Sequence, residues 1–342
     1  THCQAVYDTL NVTLSAQDLK PESFYNPKLR QVVERLEALS LLTESDGARC
    51  VFLEEFKGKD DSPLPVIIQK SDGGYLYATT DLAAVDYRSH ELHANRSLYV
   101  VDARQSLHFQ QVFAVAAAAG FSSSSISLEH ISYGTMMGSD GKPFKTRSGD
   151  TVKLVELLDE AIARAFDLVS EKNPSLEESE RREIARAVGI GAVKYSDLSK
   201  NRTSDYVFDW SSMLSFEGNT APYLMYAYAR IKTLLAKQTA AQGSVEAQLK
   251  SEHEATPEEK ALLVKALQLA EVVEAVGQDC FPNTLSNYLY ELAGHFMRFY
   301  EACPIQGADG MLRSHRLAVC VITAESLKQG LNLLGIETLE RM

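Results

Sequence analysis

Cysteine is scarce and scattered in this 342-residue sequence. The five, Cys3, Cys50, Cys280, Cys303 and Cys320, are odd in number and widely spaced with no C-x-x-C, which excludes a disulfide framework and a zinc knuckle. The one H-x-x-H, His90 and His93, has no further ligand at metal spacing and reads as helix surface, so no metal ligand is assigned. Long apolar runs are missing too: the longest, residues 112–121, is about ten residues, against the ~20 that cross a bilayer. No basic start followed by an apolar stretch marks a signal peptide, so the reading is a cytoplasmic chain. A Walker A loop, G-x-x-x-x-G-K-[ST], is also absent. What remains, 45% apolar and 23% charged residues, is the composition of a soluble globular protein of two domains at about 150 residues each.

Positive charge is in deficit, with 34 Lys and Arg against 46 Asp and Glu, a net of −12. That balance argues against nucleic acid as a bulk partner, but phosphate contacts depend on local charge density. Residues 181–202 hold Arg181, Arg182, Arg186, Lys194, Lys200 and Arg202 against Glu183 and Asp197, a net of +4. Residues 139–153 carry a net of +2. Such islands suit a nucleic-acid face or an ordinary solvated helix face, and charge alone leaves both open.

Residues 27–42 place Leu29, Val32, Val33, Leu36, Leu39 and Leu42 at helical spacing behind Pro27. A charged, Gly-containing turn follows at 45–47. Short β-type runs come next at 50–53, 66–69 and 75–77, the last two joined by Asp72-Gly73-Gly74, a hairpin signal. Thr79-Thr80-Asp81 then predicts a helix start. A strand at 98–101, a helix at 107–119 and a strand at 126–131 continue the βαβ rhythm of a parallel doubly wound sheet. From about residue 152 strand signals nearly vanish, and helical patterns run onward with breaks at 173–174, 199–209, 242–244 and 306–310. The expected fold is part of an α/β domain followed by an all-α domain.

In open parallel sheets ligands bind beyond the carboxyl ends of the strands. Tyr77 at the end of one predicted strand, Asp81 four residues on, and Gln105 and His108 after another fall there. A carboxylate beside a phenol and an amide suits a cationic ligand. The plainer reading makes Asp81 a first-turn acid on the helix dipole. The Gly-flanked segment 138–149 holds Lys142, Lys145, Thr146 and Arg147, groups that can close over a polyphosphate. In the helical half, Asn219-Thr220-Ala221-Pro222 starts a helix whose apolar stripe is Leu224, Ala227, Ile231, Leu234 and Leu235. Tyr223, Tyr226 and Arg230 share another face; they can stack on an unpaired base and meet phosphate, or pack on a neighbouring helix, the fate expected of Tyr226. Phe296, Phe299 and Tyr300 form a second aromatic cluster, and Trp210, the only tryptophan, reads as structural.

Four segments together carry a family resemblance: Y-L-Y-A-T-T-D-L-A-A (75–84), G-K-P-F-K-T-R-S-G-D-T-V-K-L (141–154), F-E-G-N-T-A-P-Y-L-M-Y-A-Y-A-R-I (216–231) and G-L-N-L-L-G-I-E-T-L-E-R-M (330–342). In this order they resemble arginyl-tRNA synthetases of the bacterial type, over essentially the whole chain. The resemblance implies a class I enzyme with part of a Rossmann-type catalytic domain at 1–152, a helical stem at 153–215 and a helical-bundle anticodon-binding domain at 216–342. It implies that Tyr77 and Asp81 bind the substrate guanidinium and Gln105 its amino and carboxylate end. Lys142 and Lys145 are the expected catalytic lysines on the ATP phosphates, with Thr146 beside them, where class I enzymes carry K-M-S-K-S; here Pro143-Phe144 replaces Met-Ser. Tyr223, Arg230, Tyr300 and Met342 are the expected tRNA contacts, and residues 181–202 the stem surface toward the tRNA.

The implied reaction joins arginine to tRNA(Arg) at the expense of ATP, with Mg2+ accompanying the nucleotide and no tightly bound cofactor. The implied molecule is a monomer without membrane association. The H-I-G-H signature of class I enzymes has no counterpart here, since no H-x-G-H occurs. The expectation is therefore a C-terminal part of a longer enzyme that does not form arginyl-adenylate alone. Two alternatives stand beside this reading. A non-catalytic tRNA-binding module would bind tRNA and ignore arginine, while the related cysteinyl enzyme would need zinc-ligating Cys and His at close spacing, which are missing.

Overall fold

A computed structural model describes residues 2–58, 60–144, 153–237 and 254–342. The chain divides into two compact units, residues 14–134 and residues 1–13 with 135–342. Helix α1 (His2–Thr9) belongs to the larger unit.

In the smaller unit, a 3-10 turn (Glu22–Lys28) leads into α2 (Leu29–Ala38), which buries Leu29, Val32, Val33 and Leu36. The predicted helix overran at its end. Ser40 takes a left-handed φ of 56°, the helix stops, Leu39 is exposed and Leu42 opens a strand. Strand β1 (Leu42–Ser45) turns back into β2 (Ala48–Val51) through Asp46-Gly47, both at positive φ. This is the Asp-Gly pair that a two-residue hairpin favours. Strand β3 (Val66–Gln69) adds antiparallel to β2.

The run at 75–77 forms no strand: only a single bridge joins Tyr75 to Gln69, and Tyr77 already begins α3 (Tyr77–Asp86). The Thr79 hydroxyl donates to the Ile68 carbonyl at 2.5 Å, so the threonine anchors the helix to the sheet instead of capping it. Asp81 accordingly lies in the second turn, which removes the first-turn dipole reading.

The parallel element is β4 (Arg96–Asp102), α4 (Ser106–Ala118) and β5 (Ser127–Tyr133), paired from Arg96 with Ser127 to Asp102 with Tyr133. Among the described residues the doubly wound expectation thus reduces to one βαβ crossover beside an antiparallel three-stranded sheet. Leu36, Ile68, Leu82, Val85, Val112 and Val115 fill the core of this unit.

The larger unit begins its main run with β6 (Met136–Met137), parallel to β7 (Tyr206–Val207). Helices α5 (Leu154–Lys172), α6 (Glu178–Leu198), α7 (Trp210–Met213) and α8 (Ala221–Ala236) follow. After them come α9 (Pro257–Leu267), α10 (Leu269–Asp279), α11 (Pro282–Ala302) and α12 (Gly310–Leu333). The predicted breaks at 173–174, 199–209 and 306–310 fall between helices; that at 242–244 lies outside the described residues. Gly189 lets α6 approach α5 closely, since a Cβ there would stand 2.8 Å from the Ala161 backbone. Tyr195, Leu224, Ile231, Leu289, Phe296 and Leu327 form the core. Mixed α/β followed by helices is the architecture expected of the sequence.

Candidate functional site

Helix periodicity puts Tyr77 and Asp81 one turn apart on α3, against which α4 packs. The turn from β4 into α4 is stiffened by Asp102, which accepts from the Arg104 amide at 2.8 Å and from its guanidinium at 2.9 and 2.8 Å. Those bonds hold the Asp102 carboxyl down at about 2. Gln105 ends this turn as the residue before α4, exposed, and His108 sits in the helix's first turn. His108 Nε2 lies 2.6 Å from Asp81 Oδ2, with side chains 31% and 29% exposed. Tyr77, 71% exposed, stands in open solvent. The structure thus joins Asp81 to His108, a residue for which sequence reasoning had noted a place but no role. A carboxylate with one oxygen bonded to imidazole and its side chain 29% exposed can accept a hydrogen bond from a cationic group.

In the larger unit, Lys142 is exposed on a tight turn after β6. The Gly138 amide donates to the Lys142 carbonyl at 2.7 Å, and Gly141 supplies a φ of 71°. The departures from the class I signature anchor this turn: Pro143 bridges to Met137, and the Phe144 ring packs on Phe208 at 4.6 Å. Lys145 and Thr146 lie outside the described residues, as does Arg147.

Three of the four expected tRNA contacts meet at one groove of about 540 Å³. Arg230, Tyr300 and Met342 line it, joined by Tyr226, Pro304 and Gln306. The Arg230 guanidinium lies over the Tyr300 ring, 4.5 Å from its centre. Tyr226 is 40% exposed, so the core-packing expectation for it is corrected: the helix turns Leu224, Ala227 and Ile231 inward and leaves Tyr226 on the groove. Tyr223 does not line this groove; it is half-buried against Tyr290, ring centres 5.6 Å apart.

The groove rim has a buried support. Arg316 donates from Nη1 to the Pro304 carbonyl at 2.6 Å and from Nε to the fully buried Glu259 at 2.8 Å. Glu259 also closes a capping box with Thr256 at the start of α9. Sequence reasoning missed this pair, although T-P-E-E at 256–259 carried the capping-box signal.

The basic stretch 181–202 is largely engaged within the unit. Arg181 and Arg182 lie over Phe166, Arg186 pairs with Glu337 at 2.6 Å, and Lys194 bonds the Leu10 carbonyl. Arg202 bonds the Cys280 carbonyl at 2.7 Å and covers Phe281. Trp210 packs edge-on to Phe208 beneath Arg164, in keeping with a structural role. Among the described residues no helix is long and apolar enough to cross a membrane, and no three His, Cys, Asp or Glu side chains are placed to hold a metal.

Comparison with known proteins agrees with this layout. Residues 1–210 match the family described as tRNA synthetases class I (R), catalytic domain, and residues 224–342 match the DALR anticodon binding domain. The chain belongs to the class I (R) tRNA synthetase family. It is 55% identical over 341 residues to an arginine–tRNA ligase of Laribacter hongkongensis, covering 100% of this chain and 59% of that protein.

Among solved structures, arginyl-tRNA synthetase of Plasmodium falciparum is 30% identical with a TM-score of 0.85, over 100% of this chain and 56% of that one. The Thermus thermophilus arginyl-tRNA synthetase is 26% identical with a TM-score of 0.83, over 99% of this chain and 62% of that one. The chain spans about three fifths of the length of the curated relatives it matches.

Proposed function

We propose that the chain serves arginine–tRNA ligation, ATP + L-arginine + tRNA(Arg) giving arginyl-tRNA(Arg), AMP and pyrophosphate. In this reading the carboxylate of arginine attacks the α-phosphorus of ATP, and the terminal ribose hydroxyl of the tRNA then takes the arginyl group. Asp81 binds the guanidinium, with Tyr77 and Gln105 orienting the substrate. Lys142 and Lys145 offset charge developing on the phosphates, with Thr146 on the nucleotide. Mg2+ would enter on the phosphate oxygens of ATP, as is usual for this ion; no protein ligand set is assigned and no step is derived through it. Arg230, Tyr300 and Met342 receive the anticodon loop, with Tyr223 on the flank of the same helix. The domain boundaries proposed are 1–152, 153–215 and 216–342, in a cytoplasmic monomer.

The observation that carries this reading is the groove, where two cations, Arg230 and Lys237, two phenols and a thioether from three separate segments converge on open solvent. Aromatic faces suit an unpaired base and the guanidinium suits phosphate. Two titrations test it. The chain should bind tRNA(Arg) with an affinity that falls when the anticodon loop is altered, and L-arginine should raise its melting temperature while citrulline does not. Binding of tRNA without any response to arginine would replace ligation with a non-catalytic tRNA-binding role. Equal affinity for an unrelated tRNA would overturn the anticodon assignment.

A further inference from the structure

We infer that His108 is a positioning residue for arginine recognition: it holds one oxygen of the Asp81 carboxylate so that the other is presented to a guanidinium. The inference rests on the proposed role of Asp81. Its basis is the 2.6 Å contact between His108 Nε2 and Asp81 Oδ2, made between two helices and across 27 residues of sequence. Among the described residues Asp81 Oδ1 carries no hydrogen bond, and about a third of each side chain remains accessible. The pair is therefore neither sealed in the core nor saturated.

The imidazole itself is well fixed. His108 lies in the first turn of α4, and its ring meets the buried Phe109 ring edge-on at 5.1 Å. Phe109 in turn packs on Tyr99 and His130. On the carboxylate side, Asp81 is flanked by the buried Thr80 and Leu82, so its backbone is equally settled. Left alone, an aspartate side chain turns freely about two bonds, and a ligand must restrict that motion when it binds. An imidazole bonded to the carboxylate through Nε2 removes that freedom beforehand. A lysine or arginine at the same position would cancel the charge and occupy the site. Histidine thus orients the carboxylate through one oxygen and leaves the second oxygen for a cationic substrate.

A purely structural tie between α3 and α4 would have the same distance, so the test must separate the two. His108→Gln keeps an N–H donor near the Nε2 position, whereas His108→Met keeps the bulk and loses the donor. We expect His108→Met to weaken L-arginine binding by isothermal titration about 10-fold, His108→Gln to stay within about threefold of the unsubstituted chain, and tRNA affinity to be unchanged in both. Asp81→Asn is the reference. If Asp81→Asn abolishes arginine binding while His108→Met binds as the unsubstituted chain does, this inference fails and the Asp81 reading stands. If Asp81→Asn binds arginine normally, or the unsubstituted chain does not bind it, both fall. A lowered melting temperature in His108→Met with arginine affinity intact marks a structural tie only and overturns the proposal.

Discussion

In the proposed function Asp81 and Arg230 meet opposite charges, a cation in one unit and a polyanion in the other, and each has a neighbour at close range. For Asp81, loss of charge with shape retained should be costly: hydrogen bonds to charged groups contribute ~1.5–3 kcal/mol. Asp81→Asn is expected to weaken L-arginine binding by roughly 10- to 100-fold, read by calorimetry, with citrulline as the neutral control. For Arg230, held over the Tyr300 ring, the alanine variant should lower tRNA affinity and reduce the slope of log K against log salt by about one unit, since one phosphate contact disappears. An unchanged salt slope would take Arg230 off the phosphate backbone.

Asp209 bears on stability. It caps α7 by accepting from the Ser212 amide at 2.8 Å and from the Ser211 and Ser212 hydroxyls, which bring its carboxyl down from 3.8 to about 2. A depressed carboxyl stabilises the fold above its unfolded value and loses that contribution as pH falls toward 2. Asp209→Ala should therefore cost ~0.5–1 kcal/mol at neutral pH, with the difference vanishing in acid denaturation below about pH 2. The place of Asp81 on a helix, one turn after Tyr77, was legible from its neighbours in sequence. His108 as its partner was not, because nothing local ties residues 27 positions apart.

Among the secondary elements, helices were read more securely than strands. Pro, Gly and Asx breaks separate α5, α6 and α8, and the stripe of α8 faces inward as its period requires. The β-type run at 75–77 failed because a short apolar stretch has no distinguishing period, and its last residue joined a helix pinned to β3 through Thr79. Elements also set the groove. The rim at Pro304 is held by Arg316 on α12, and Arg316 neutralises the buried Glu259 on α9. Removing one member of such a buried pair takes away part of what offsets the other's charge. Arg316→Met should destabilise the chain by about 3–5 kcal/mol in urea denaturation, and where folded it should bind tRNA more weakly. A small stability loss would mean that Glu259 is neutralised by other means.

Taken whole, the chain holds its two candidate sites in separate compact units. Mutations that share no contacts usually add. Arg230→Ala should thus leave the arginine-induced rise in melting temperature intact, and Asp81→Asn should leave tRNA affinity within about twofold; a large cross-effect in either direction would show the sites to be coupled. Local chemistry already set the order of α/β and helical parts, the Gly-rich lysine turn, the start of α8 and the aromatic cluster near Tyr300. Periodicity, caps and turn residues act over a few positions, and those features need no more. The pairing of Asp81 with His108, the turning of Tyr226 to the surface, the parting of Tyr223 from Arg230, and the convergence of Arg230, Tyr300 and Met342 were decided by packing alone. Each depends on helix rotation or on contacts between distant segments, and in a close-packed interior those are fixed jointly by all the side chains that must fit.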